Sequence, residues 1–443
     1  MGQYRNVTTL NDIKITERIE KDWGIVFEAE WDPGKEAYEI CPKNGCIDPE
    51  LRRRGDCERK ARDMRRNGQP VGIRLSLQRF ECMNCEEIFC SDHEGIVDNK
   101  NLTQTLYDHI LEKSLQPWTT FSELEDRFGF GKSTVGNLFD EHVEERDEDY
   151  SPEPPRVLGI DGVYVKTKGE TWTVLANIEE ETVIELVNAQ TADSVERCVR
   201  RLGLRGETEV VVMDMSTTYR AAVENALPKA SIVVDRWHIA GKAEEAMSAV
   251  KSEVADKELM EEWRERESEL AGAEELPEGH QLTLGGVQRP ITLQPDEDLL
   301  DRMEAAYRAK TEFERIFELR SRKKAARRFR EWERSLPSSI QDEFEDVTRP
   351  LGNWRSQILN YFDHRFTNSL VENSAKVIGQ IDDRTDGCDF STMRGKVVFG
   401  PTHKTKTEAR KRGPMLFEGI GLGNVQPPPG GQRQLGQEQR TID

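Results

Sequence analysis

The clearest signal in the first hundred residues is alternation. Val71-Gly72-Ile73-Arg74-Leu75-Ser76-Leu77-Gln78-Arg79-Phe80 sets apolar side chains at every second position, the period of a strand with one buried face, and it runs straight into Cys82. Gly24 to Ala29 offers a second short strand within residues 1–40, a segment to which the sequence assigns no role. From Leu102 to Val143 the period becomes helical, with Leu106, Ile110 and Leu111 on one face. Phe121 to Phe128, then Gly129, then a helix opened by Lys132, Ser133 and Thr134 predict a helix-turn-helix within residues 100–145. Such patterns are degenerate, and a plain helical hairpin fits them too. The acidic run Glu144 to Asp149 and then Pro152, Pro154 and Pro155 mark a domain boundary.

Beyond that boundary, strand and helix patterns alternate in a legible order. Strands are expected at Val157–Val165, Thr171–Ala176 and Thr182–Val187, a helix from Ala192 to Leu202, a strand at Glu209–Asp214, a helix from Thr218 to Leu227 and a strand at Ser231–Asp235. The order βββαβαβ is that of an RNase H-like core, with its first part at residues 156–239. Charged helical sequence fills residues 240–365 as a helical insertion, and residues 366–400 supply the core's final helix. Residues 421–443, rich in Pro, Gly and Gln, read as a disordered tail. The chain is thus expected to be multidomain, α+β and α/β.

Composition narrows the partners. The 443 residues carry a formal charge of −20, with 33% charged residues, and a mean hydropathy of −0.72. Local basic patches must therefore be sought before nucleic acid is considered, since phosphate binding needs local positive charge. Apolar runs are too short for a membrane span, and Met1 to Arg5 does not begin an export signal, so a cytoplasmic protein is expected. Six of the eight cysteines lie between Cys41 and Cys90, which in a reducing compartment points to metal. Cys41, Cys46, Cys82 and Cys85 form two knuckles able to hold one structural zinc ion, a zinc ribbon over residues 41–95, with Cys57, Cys90 and His93 as competing ligands and buried free thiols as the alternative.

The acidic positions carry the chemistry. Asp161 interrupts the first apolar strand and Asp214 ends the fourth, where a carboxylate is costly unless it meets a cation or a donor. With Glu372, at the start of an amphipathic helix, they could hold two Mg²⁺ ions for phosphodiester chemistry. Asp235 and His238, three residues apart after the fifth strand, could share the site in an auxiliary role or form a structural pair. A basic cluster, Arg320, Arg322, Lys323, Lys324, Arg327, Arg328 and Arg330, suits DNA phosphates through Lys323, Arg327 and Arg330, or else intramolecular pairing with acids.

Together the cysteine knuckles, Gly159-Ile160-Asp161-Gly162, Val212-Met213-Asp214-Met215-Ser216, Val234-Asp235-Arg236-Trp237-His238 and the approach from Thr367 to Glu372 resemble the DDE-type insertion-sequence transposases of the ISL-three type, over roughly residues 40–400. The resemblance implies a DDE triad of Asp161, Asp214 and Glu372. It also implies metal-dependent cleavage at the element's terminal inverted repeats, strand transfer into target DNA, and a homo-oligomeric synaptic complex. Members usually carry Asn three residues after the glutamate and basic residues further along that helix; this chain has Ala375, then Asp382 and Asp383. A catalytically inactive, transposase-derived DNA-binding protein is the alternative, and a plain RNase H-like nuclease is a third.

Overall fold

The computed structural model describes residues 8–253, 257–272 and 295–401. The tail expected at residues 421–443, and the breaks in the helical pattern near Pro277 and Pro290, lie outside them.

The N-terminal sheet begins earlier than the sequence suggests. β1 (Lys14–Lys21) and β2 (Gly24–Trp31) form an antiparallel hairpin, and β2 runs parallel to β4 (Gln69–Cys82), so residues to which the sequence assigns no role join the sheet that carries the knuckles. The alternating run is β4, and its partner on the other side is the 16-residue β3 (Leu51–Arg66). β3 eluded the period reading because charges fill both its faces: it is an edge strand whose inner face is buried only at scattered positions. A short β5 (Ile88–Cys90) pairs with the end of β4.

Three helices follow: α1 (Gln104–Ser114), α2 (Phe121–Phe128) and α3 (Lys132–Glu148). Thr120 and Glu123 form a reciprocal capping box at the start of α2, and Gly129, at φ 70°, supplies the left-handed turn that ends it. Leu106, Ile110, Leu124, Phe128, Val135 and Leu138 close their shared core.

The central sheet contains β6 (Val157–Val165), β7 (Glu170–Asn177), β8 (Thr182–Val187), β9 (Val210–Met213) and β10 (Ser231–Val234), in the order β10-β9-β6-β7-β8. The β6-β7-β8 meander is antiparallel, whereas β9 and β10 run parallel to β6. α4 (Ala192–Arg201) and α5 (Thr217–Ala226) pack on one face of the sheet, each N-capped by a hydroxyl, Thr191 and Ser216. α6 (Arg236–Ser252), α7 (Lys257–Gly272), α8 (Pro295–Ile316), α9 (Arg322–Ser335), α10 (Glu345–Asn353) and α11 (Arg355–His364) follow, and residues from most of them extend the same core through Trp263, Phe313, Phe329 and Trp332. α11 covers edge strand β10, with Asn360 donating from Nδ2 to the Ile232 carbonyl at 2.7 Å.

α12 (Ser369–Thr385) and α13 (Phe390–Val398) occupy the opposite face, where Val371, Ile378, Ile381, Met393 and Val397 meet Val163, Val165, Trp172 and Val174. α13 also ties the helical N-terminal unit to this sheet. The ammonium of Lys396, almost wholly buried, donates to the carbonyls of Ser114, Gln116 and Thr119. Arg394 bridges buried Glu185 of β8 to Asp147 of α3.

Candidate active site and metal centre

The register of three strands assembles the acids. Ile160 of β6 is level with Met213 of β9, which is level with Val234 of β10. One residue further along each strand stand Asp161, Asp214 and Asp235, so three carboxylates fall in a row across adjacent strands. Asp161 shares its strand face with Val163 and Val165, the face on which α12 packs, and Glu372 lies in the first turn of α12. His238, in the first turns of α6, sits between them: its Nε2 is 3.7 Å from Asp161 Oδ2 and 3.8 Å from Glu372 Oε1.

These groups strain one another. Burial, then the charge of Asp161, pushes the Asp214 carboxyl above its ordinary range, and Asp214 Oδ1 is buried with no hydrogen-bond partner among the described residues. Burial, then the charge of Asp235, raises Glu372. The adjoining Asp161 carboxylate raises His238 to about 9, against the burial that opposes its charged form. Asp235 is fully buried and is also raised by burial; it caps α6 by accepting from the Trp237 amide at 3.2 Å and accepts from the Asn368 amide at 3.0 Å.

Asp235, His238 and Glu372 offer ligand atoms within 4.8 Å of one another, a possible cation position. Oxygen-rich acids with an orphaned, buried carboxylate oxygen fit a hard divalent cation. Asp235 and His238, assigned an auxiliary part from the sequence, therefore stand at the centre of the cluster, with Asp161 and Glu372 beside His238 and Asp214 next to Asp161.

The roles of two residues at the site, both inside the motifs quoted above, escaped sequence reading. Asn368 donates from Nδ2 to the Ile160 carbonyl at 3.1 Å, fastening the start of α12 to β6. A Cβ on Gly159 would lie 2.7 Å from both Asn368 Oδ1 and Val371 Cγ2, so only glycine lets α12 come this close. A glycine inside an apolar strand was the available signal, since it marks close backbone approach.

At the N-terminal sheet the Cys41, Cys46, Cys82 and Cys85 sulfurs all lie within 4.8 Å of one another, Cys41 and Cys85 at 3.8 Å. A tetrahedral zinc ion with bonds of about 2.3 Å has sulfur–sulfur edges of about 3.8 Å, so the cluster fits that ion. Each knuckle is closed by backbone bonds, the Gly45 amide to the Cys41 carbonyl at 2.9 Å and the Glu86 amide to the Cys82 carbonyl at 2.7 Å. The competing ligands drop out. Cys57 and Cys90, expected from the sequence as substitute ligands in a reducing compartment, are joined in a disulfide between β3 and β5. His93 is buried, with Nε2 on the Asn11 carbonyl at 3.0 Å and Nδ1 accepting from the Gly95 amide.

Lys132, Ser133 and Thr134 are exposed on the first turn of α3. On α9 the cluster divides: Arg322 is paired with Asp363 at 2.5 Å, Arg327 and Arg328 share Glu331 at 3.4 and 3.6 Å, and Lys323, Lys324 and Arg330 are exposed without an ion pair among the described residues.

With this geometry in view, comparison with protein families defines the class: a family model described as transposase matches residues 158–397, more than half of the chain. The chain belongs to the DDE-type transposases of the ISL-three type. No curated protein matches it. Among the described residues no helix is long and apolar enough to cross a membrane.

Proposed function

We propose that the chain binds the terminal inverted repeats of an insertion sequence, cleaves the DNA there and joins the freed 3′-hydroxyls to target DNA, with Asp161, Asp214 and Glu372 as the acidic triad on an RNase H-like core. The observation that carries this reading is the row of strand-end acids facing Glu372 across His238. Two Mg²⁺ ions, when bound, would activate the attacking oxygen and stabilise the leaving one. The protein's own part is to hold the carboxylates in place beforehand. The strand register fixes Asp161 and Asp214, Asn368 and Gly159 fix the start of α12 and so Glu372, and Asp235 fixes α6 and so His238. His238 lies between Asp161 and Glu372, and the Asp161 carboxylate beside it favours its charged form.

In the same reading, α2 and α3 form a helix-turn-helix that lays Lys132, Ser133 and Thr134 against DNA, the four cysteines hold structural zinc, and Lys323, Arg327 and Arg330 meet phosphates. Synapsis of two element ends calls for a homo-oligomer, and the reaction belongs in the cytoplasm. A catalytically inactive DNA-binding descendant is the second reading, favoured by Ala375 and by acidic Asp382 and Asp383 on α12. Asp382 has a structural task of its own, accepting from the Thr167 amide at 3.0 Å and from its hydroxyl. Cleavage of a duplex carrying the element end in the presence of Mg²⁺, abolished in Asp161→Asn with binding retained, supports the enzyme; binding without cleavage in the unaltered chain supports the descendant.

A further inference from the structure

In a chain of net charge −20, the turn end of β3 carries cations that no ion pair answers among the described residues. At the turn end of β3 stand Arg62, Arg65 and Arg66. The Arg62 and Arg65 guanidiniums lie side by side, with Nη2 atoms 3.5 and 3.6 Å from the position of a Cβ on Gly129, the residue that turns α2 into α3. Burial, then the like charge of Arg65, holds the Arg62 pKa below its ordinary value.

The rest of β3 differs, because Arg53, Arg54 and Arg59 are each answered by a carboxylate: Asp32, Glu81 and the pair Asp92 and Asp98. Among the described residues, no ion pair reaches Arg62, Arg65, Arg66, Arg127 or Lys132, although Glu125 and Asp126 are exposed on α2 nearby.

Arg62 has a structural use for its charge. It donates to the carbonyls of Phe128 and Gly129 at 3.0 and 3.1 Å, closing the C-terminal end of α2, and stacks 3.9 Å from the centre of the Phe130 ring. Met64 enters the core of the three helices, and β3 is bonded to the start of α1 through the Thr103 amide and the Arg62 carbonyl at 2.9 Å. The strand end is therefore rigidly joined to the α2–α3 turn. Among the described residues, Arg65 and Arg66 have no such intramolecular use, and Arg66 Nε is buried without a partner.

We infer that Arg65 and Arg66 form one phosphate-contacting surface with Lys132 and the exposed first turn of α3, so that duplex DNA is gripped by the β3–β4 hairpin end and α3 together. This rests on the reading of α3 as the DNA reader. Clustered guanidiniums without a paired carboxylate are relieved when a polyanion neutralises them, and Arg suits phosphate because its fork donates two hydrogen bonds at once. Phosphate contacts of this kind fix orientation on the duplex and carry no sequence information.

The experiment is fluorescence anisotropy of the full chain on two labelled duplexes, one bearing the element end and one of unrelated sequence, over a series of salt concentrations. Arg65→Gln/Arg66→Gln should weaken binding to both duplexes by the same factor and flatten the plot of log affinity against log salt by about two units, roughly one per neutralised phosphate. Arg65→Lys/Arg66→Lys, which keeps the charge, should restore most of the slope and serves as the folding control together with circular dichroism. If Lys132→Gln lowers the slope while Arg65→Gln/Arg66→Gln leaves it unchanged, the hairpin contact is wrong and the α3 reading stands. If neither variant changes binding, or the unaltered chain binds neither duplex, both fall.

Discussion

At the scale of single residues, the site stores charge that the fold does not favour. Asp214 and Glu372 have raised pKa values, so the native state binds protons more tightly than the unfolded chain there, and their contribution to stability falls as pH rises through the folded value. His238 works in the same direction: its stabilisation is fully present below the ordinary histidine value of 6.5 and is lost as pH rises through about 9. Asp214→Asn should therefore stabilise the cation-free protein by about 1 kcal/mol, the common gain when a functional-site strain is removed. The same variant should lose both DNA cleavage and the upward Tm shift that Mg²⁺ gives the unaltered protein. Thermal melts with and without Mg²⁺ decide this, and a lower Tm for the cation-free variant would contradict it. For His238→Gln, urea unfolding at pH 6 and at pH 9.5 should show a stability deficit at the lower pH that narrows at the higher one. These acids were legible in the sequence because carboxylates at the ends of apolar strands are conspicuous. Asn368 was not, since its part is a backbone contact to Ile160, 208 residues away along the chain.

At the scale of elements, the strands and helices of the central sheet followed from apolar runs and turns to within a residue or two, whereas β1 and β3 did not, because their side chains are mostly exposed and charged and leave no period to read. The docking of α12 on β6 depends on the missing side chain at Gly159. Gly159→Ala would press a methyl against Ile178, Asn368 and Val371, each less than 3 Å away, and overpacking of that kind costs about 1–3 kcal/mol. The helix that carries Glu372 would shift with it, so cleavage should fall further than stability, and a Gly159→Ala protein of normal Tm and full activity would refute the role given to this contact. The knuckles make a second element-scale claim. A zinc ion at Cys41, Cys46, Cys82 and Cys85 would tie the start of β3 to the end of β4, so purified protein should hold about one zinc ion per chain, and a strong chelator should unfold the N-terminal sheet first. Protection of β3 and β4 amides from hydrogen exchange, unchanged by chelator, would exclude a structural ion.

At the scale of the whole molecule, an acidic protein that binds DNA needs small basic surfaces to do so, and α9 carries a basic cluster on the same chain as the carboxylates. Its pairing pattern bears on the alternative that acids neutralise it: Glu331 serves both Arg327 and Arg328, and Asp363 serves Arg322. Surface pairs such as these contribute little, about 0–1 kcal/mol each, and leave Lys323, Lys324 and Arg330 unanswered. Phe329 and Trp332 bury the opposite side of α9 in the main core, which fixes the helix and its exposed charges relative to the central sheet. Changing Lys323, Arg327 and Arg330 to Gln should therefore leave the fold intact while weakening DNA binding regardless of sequence. The salt slope should flatten by about one unit for each phosphate that is no longer neutralised. Because the three changes also remove repulsion among like charges, Tm should stay level or rise slightly. A folded triple variant with an unchanged slope would assign the α9 cluster to the intramolecular pairs, leaving DNA to be held by the N-terminal unit alone.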